Sequence, residues 1–187
     1  MRLALLLLVS AVATASAQDS SFSQLRLRGS VFRNPVVGRI GDDWKARTGA
    51  QFEIASNVAR GELGLAVGYL GYDATTGKPP FTATLFTLAW MAPVTRVAGV
   101  ELSAGARLTD LKMEFDDPAI VEGLRTEEEI MLGAIGRARL PLRRKFSAFI
   151  DGSYGVLMLH TKTPVVLVHA GIERTVRNPG WLRDILR

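Results

Sequence analysis

Residues 44–58, WKARTGAQFEIASNV, decide the fold. Trp44, Ala46, Thr48, Ala50, Phe52, Ile54 and Val58 share one parity, while Lys45, Arg47, Gln51, Glu53 and Asn57 occupy the other. Charges that return every second residue cannot mark one face of a helix, whose repeat is three to four residues. The segment is a predicted strand with one apolar face and one wet face.

The same alternation recurs along the chain. Eight strand-like segments are predicted, at about residues 24–33, 44–58, 62–72, 81–91, 100–112, 127–140, 146–157 and 165–176, with connections rich in Gly, Pro and Asp. The fourth is ambiguous, because Phe86, Leu88 and Trp90 compete with Leu85, Ala89 and Met91; a bulge would reconcile them. Its neighbours are clear: Val100, Leu102, Ala104, Ala106 and Leu108 oppose Glu101, Ser103, Arg107 and Thr109. The second, fourth and sixth connections are compact, whereas the first, third and fifth are polar, acidic or long. Short turns at one end and longer loops at the other are the rule for membrane β-barrels, and an even strand number brings both termini to the short-turn end.

The N-terminus predicts export. Met1-Arg2, an apolar run and Ala15-Ser16-Ala17 read as a signal peptide over residues 1–17, cleaved before Gln18. The apolar run falls short of the roughly 20 residues of a spanning helix, and no later run is long enough. The 187 residues contain no Cys, which excludes a disulfide scaffold and thiolate metal ligation. Hydrophobic residues make up 48% and there are 18 Gly, a composition that lipid-facing strands explain directly. The net charge of +5 is scattered rather than gathered on one face, so nucleic-acid binding is not expected.

Eight strands enclose a space just wide enough for side chains to fill. With the apolar face outward, Arg26, Arg28, Glu53, Glu62, Glu101, Arg107, Glu129, Arg137, Arg139, Asp151 and Glu173 project inward. That set is mixed in sign, and interior charges are tolerable when paired. The expected lumen is plugged and ion-paired, not a diffusion pore. Gly64, Ala66, Gly68, Gly105, Gly133 and Gly171 share the charged face, and small beside large suits a crowded interior. The alternative, apolar inside and polar outside, is a soluble lipocalin-like exported barrel binding an apolar ligand. Trp44, Tyr69, Phe81 and Tyr154 near one set of strand ends, and Trp90 and Phe146 near the other, are candidate membrane-interface aromatics.

On these patterns residues 18–177 resemble the small eight-stranded outer-membrane barrels, the OmpA transmembrane-domain and OmpX-like group. The resemblance implies an all-β, antiparallel up-and-down transmembrane barrel in the bacterial outer membrane. Members often end on a strand closed by an aromatic residue, whereas here residues 177–187 follow Val176. Within 178–187, Trp181 and Ile185, and Leu182 and Leu186, are spaced i,i+4 after Asn178-Pro179. This predicts a short amphipathic C-terminal helix with Trp181 as its interface anchor.

Two histidines are present, His160 and His169. Barrels of the lipid A deacylase kind place a serine closely after a late-strand histidine. Here His169 precedes Ala170, Gly171 and Ile172, so the lipid A-modifying enzyme is carried only as a second alternative, and His169 is read as an interior hydrogen-bonding group. Glu114, Asp116, Asp117 and Glu122 form an acidic connection without EF-hand spacing. Gly61, Gly64, Gly68 and Gly71 lie inside a strand pattern and form no nucleotide loop. No catalytic residue, metal or cofactor is expected. The expected protein is monomeric and non-enzymatic, embedded in outer-membrane lipid and lipopolysaccharide. Its loops would meet a surface ligand in adhesion, surface contact or envelope integrity.

Overall fold

The computed structural model describes residues 24–36, 38–58, 60–75, 77–117, 125–158 and 162–177. The alternating segments form antiparallel strands β1 (Gln24–Val36), β2 (Trp44–Ala46), β3 (Gly49–Val58), β4 (Gly61–Ala74), β5 (Phe81–Val97), β6 (Val100–Phe115), β7 (Thr126–Arg143), β8 (Phe146–Leu157) and β9 (Thr163–Arg177). One short helix, α1 (Gly38–Asp43), lies between β1 and β2, where the sequence predicts only turns. β1 pairs with both β3 and β9, and β4 pairs with β5, so eight strands close into a ring. β2 is an extension of β3 along β4. The predicted signal peptide and the predicted C-terminal helix lie outside the described residues.

The break between β2 and β3 corrects the reading of residues 44–58. Ala46 faces Tyr72 and Ala50 faces Tyr69, so four residues on one strand span three on the other. This is a bulge of one residue, and it reverses the parity. Ala50, Phe52 and Ile54 point outward, as the sequence suggests, but Trp44 and Ala46 turn inward and pack on the core. Val58, also assigned outward, is buried at the turn into β4. In β5 the ambiguity resolves without a bulge in its outer part: Phe81, Ala83, Leu85, Thr87, Ala89 and Met91 are buried, and Phe86 and Trp90 are exposed. The register shifts only later, between Pro93 and Thr95.

The outward face is apolar over its middle. Leu65, Val67, Phe86, Leu132, Ile150, Val168 and Ile172 are all exposed large hydrophobics. A continuous belt of this kind is far more apolar surface than a water-facing monomer presents. Such a belt is what a transmembrane barrel turns to lipid.

The inner rim, where Gln24 faces Arg177, also carries the tight turns from Val58 to Gly61, Val97 to Val100 and Arg143 to Phe146. In the second of these, Ala98 (φ 48°) and Gly99 (φ 84°) are both left-handed. That is the geometry of a two-residue hairpin of type I′, in which Asn-Gly is strongly favoured. A left-handed conformation costs an alanine roughly 1–2 kcal/mol. Ala98→Asn is therefore expected to stabilise the barrel by about 1 kcal/mol, read as a rise in the urea midpoint of the folded protein. An unchanged midpoint would rule this out.

Close strand approach fixes a second glycine. A Cβ on Gly105 would sit 1.9 Å from the Trp90 carbonyl oxygen on β5, so only hydrogen fits without moving the backbone.

Candidate functional site

The lumen is built in two parts. The outer half is an apolar core, in which Phe32, Leu70, Tyr72, Phe81, Ala83, Leu85, Met113, Met131, Leu157, Val165 and Leu167 pack together. Ile40 of α1 and Trp44 of β2 close over it, with Leu111 and Phe115 at its edge. Trp44 meets Phe81 edge-on at 5.5 Å, and its Nε1 donates to the Pro79 carbonyl at 2.8 Å. The remaining cavity is about 20 Å³, room for one water molecule at most. The sequence predicts a plugged, ion-paired lumen; in this outer half the plug is apolar packing instead.

The lower half is the ion-paired layer. Arg28, 2% exposed, donates through Nε to Glu173 at 2.7 Å, pairs with Glu62 at 2.6 Å and also bonds Glu53. Arg137 bonds both oxygens of Glu53, at 3.0 and 3.3 Å, and Asp151 at 2.7 Å. Its guanidinium also lies 4.9 Å from the centre of the Phe149 ring. Arg139 bonds Glu173 at 2.9 Å and pairs with Glu101, and Arg26 pairs with Glu62. Four arginines on β1 and β7 thus cross-link five carboxylates on β3, β4, β6, β8 and β9, and the planar guanidinium fork is suited to such bridging.

Arg107 is different. It is buried at 2% exposure, and its donors go to hydroxyls: Ser153 Oγ at 2.8 Å, Thr87 Oγ1 at 3.1 Å and Thr109 Oγ1 at 3.2 Å. Thr87 and Thr109 also bond each other at 2.9 Å. This hydroxyl layer separates charge below from grease above. Sequence reasoning did not single it out, although all three hydroxyl residues share the inward parity. Glu129 lies on the inward parity of β7 but opposite Leu111, at the outer end and away from the ion-paired layer.

The structure also adds two arginines to the inner mouth. Arg60, in the turn before β4, and Arg96, at the end of β5, line a cavity of about 520 Å³ together with Arg26, Arg28, Arg137 and Arg139. Arg96 pairs with Glu101. Both residues lie in stretches whose sequence predicts connections. With them and Arg107, seven arginines (26, 28, 60, 96, 107, 137 and 139) accompany five carboxylates (Glu53, Glu62, Glu101, Asp151 and Glu173) in the lower half. Arg107 sits in the hydroxyl layer, so the ion-paired layer and the inner mouth hold six arginines against five carboxylates, a surplus of one positive charge.

His169 is 1% exposed, and its ring stacks on Phe32 at 4.7 Å. It faces Asp151 in the β8–β9 register, yet neither ring nitrogen has a hydrogen-bond partner among the described residues. The expectation of a hydrogen-bonded interior histidine is therefore corrected: the ring is held by stacking. His160 and Glu122 lie outside the described residues.

Among the interface aromatics, Tyr69, Trp90, Phe146 and Tyr154 are exposed on the outer surface. Arg174 lies over the Phe146 ring at 5.8 Å. Trp44 and Phe81 are not in that girdle; the bulge and the β5 parity place them inside. Trp181 lies outside the described residues. At the outer rim, a hydrogen bond from Arg47 holds the Asp73 carboxyl below its usual range.

The lipocalin-like alternative needs a polar exterior and an empty apolar cup. Here the exterior is apolar and the apolar interior is filled.

No protein-family model matches the chain, and no curated protein matches it. Among solved structures it is similar to Neisserial surface protein A (NspA), with a TM-score of 0.58 and 12% identity over 80% of this chain and 96% of that one. Weaker likeness relates it to a major outer membrane protein from Thermus thermophilus, with a TM-score of 0.46 and 14% identity over 81% of this chain and 99% of that one. The N-terminal β-barrel domain of Pseudomonas aeruginosa OprF gives a TM-score of 0.45 and 13% identity over 83% and 99%. At these identities the likeness concerns the fold, and the chain has the fold of the small eight-stranded outer-membrane barrels.

Proposed function

We propose that this protein is an integral barrel of the bacterial outer membrane that acts through its surface rather than by passing solutes. The observation that supports this is the pairing of an apolar exterior with a doubly blocked lumen, packed grease above and cross-linked ions below. Neither layer leaves an aqueous path, and eight strands have little interior to spare. In this reading residues 1–17 direct export and residues 18–177 make up the barrel domain. Its surroundings are membrane lipid and lipopolysaccharide, and it works as a monomer.

The work falls to the outer rim, in adhesion, surface contact or envelope integrity. That rim carries Asp73, Glu114, Asp116, Glu127 and Glu128 beside Lys45, Arg47 and Lys78. A non-enzymatic role is favoured because His169 is sealed in the lumen, away from lipid and solvent.

Membrane fractionation followed by heat-modifiability on a gel tests the reading. The protein is expected in the outer-membrane fraction, with the unboiled form migrating differently from the boiled one. Recovery in the soluble fraction with identical migration would overturn it.

A further inference from the structure

We propose that the cavity at the inner mouth is a binding site for a small phosphate-bearing anion. This rests on the barrel reading above only for the side of the membrane it faces; the site itself rests on geometry. The cavity, about 520 Å³, lies within the range of small-molecule sites. Four arginines converge on it from separate parts of the chain: Arg26 on β1, Arg60 before β4, Arg96 on β5 and Arg139 on β7.

These guanidiniums have more donors than the protein supplies acceptors. Each carries five N–H groups, and the carboxylates that line the cavity are Glu62 and Glu101. Arg60 has no partner among the described residues. Arg26 Nε is buried without a hydrogen bond, 3.8 Å from the nearest Glu173 oxygen. Six arginines and two carboxylates line the open mouth, an excess of positive charge that suits an anion. Tetrahedral phosphate oxygens can meet several forks at once, which a planar carboxylate does less well. Asn57, Thr95 and Ser103 supply amide and hydroxyl groups for an uncharged body beyond the phosphate.

The backbone shapes the site. Pro93, which has no N–H to donate, marks the register shift on β5, and Pro93, Val94 and Thr95 line the cavity wall there. The exposed turn residue Arg60 completes the mouth.

The test is calorimetric titration of the folded protein, in a zwitterionic detergent, with pyrophosphate as the probe. A saturable isotherm with one pyrophosphate per barrel is expected. Arg60→Gln and Arg96→Gln should each weaken it by about tenfold, the scale of one lost charge-assisted contact. Arg60 is exposed and unpaired, so its variant leaves the fold's ion pairs intact. Arg144→Gln, on the same rim but outside the cavity, should leave the affinity within about twofold. A flat isotherm, an affinity unchanged in both cavity variants, or an equal loss in Arg144→Gln would each overturn the proposal.

The natural source of the phosphate is read by repeating the titration in lipid nanodiscs with and without phosphatidylglycerol. Competition by the lipid assigns the site to a headgroup, and its absence to a solution anion; both results support a phosphate site. A protein that fractionates as soluble would fail the membrane reading while still giving an isotherm. A membrane-embedded barrel with a flat isotherm fails only this proposal.

Discussion

Replacing Arg28 with leucine is expected to lower the unfolding free energy by about 3–5 kcal/mol, the cost of stranding buried charge. Arg28 is 2% exposed and is the shared partner of Glu53, Glu62 and Glu173. Glu173 is fully buried and keeps Arg139 on its other oxygen, so the oxygen that faced Arg28 loses its donors and water cannot replace them there. Glu53 retains Arg137 and Glu62 retains Arg26, which keeps the loss below three full charges. Arg26→Leu is the matched control: its side chain is 18% exposed, and its main partner Glu62 keeps Arg28. That variant is expected to cost about 1 kcal/mol, as for a partly solvated pair. Urea unfolding from detergent micelles, followed by tryptophan fluorescence, measures both. Equal losses in the two variants would show that the layer is not organised around Arg28.

The network is not explained by stability. Well-packed apolar residues of the same volume would hold a lumen as firmly or more so, since desolvating the ions offsets most of their attraction. The outer half of this same barrel does use apolar packing. The charged half therefore supplies something grease cannot, a plug whose inner edge stays polar and cationic. That is the property the phosphate proposal uses.

Alternation was legible in sequence wherever the two faces differ in polarity. It made β1, β6 and β9 plain, and it identified the arginines and acids that the structure gathers into one layer. It failed where both faces are apolar. In β5, Phe81, Ala83 and Leu85 point inward while Thr84, Phe86 and Leu88 point outward, so no parity stands out. Trp44 was misplaced for a different reason: a one-residue bulge changes the face of everything before it, and Arg47, Thr48 and Gly49 carry no signature that separates a bulge from continued strand.

Pairing within the layer was not legible either. Arg28 meets Glu53 at a separation of 25 residues and Glu173 at 145, and only ring closure makes both neighbours. Arg60 and Arg96 are not legible as lumen residues, because a turn and a strand end look solvated in sequence. Their convergence depends on β5 running on past its last partner in β4, where Met91 faces Glu62, before it turns into β6.

The second large effect concerns the other face of the wall. Ile150 is 53% exposed on the outward face of β8, between Ala138 on β7 and Ala170 on β9, both also outward. On a water-soluble surface an exposed isoleucine can become arginine within about 0.5 kcal/mol. In the middle of a lipid-facing belt the same change costs about 2–4 kcal/mol, because the guanidinium must drag water or headgroups toward the hydrocarbon. Ile150→Arg is therefore expected to lower stability by about 2–4 kcal/mol in urea unfolding from phospholipid vesicles. Leu142→Arg, near the inner turn, is expected to cost no more than about 1 kcal/mol, since depth sets the penalty. The gradient between the two separates lipid from simple loss of packing: an isoleucine half exposed in the isolated barrel has little packing to lose. If both variants unfold with the wild-type protein, the belt faces water, and the apolar exterior would then need a protein partner to cover it.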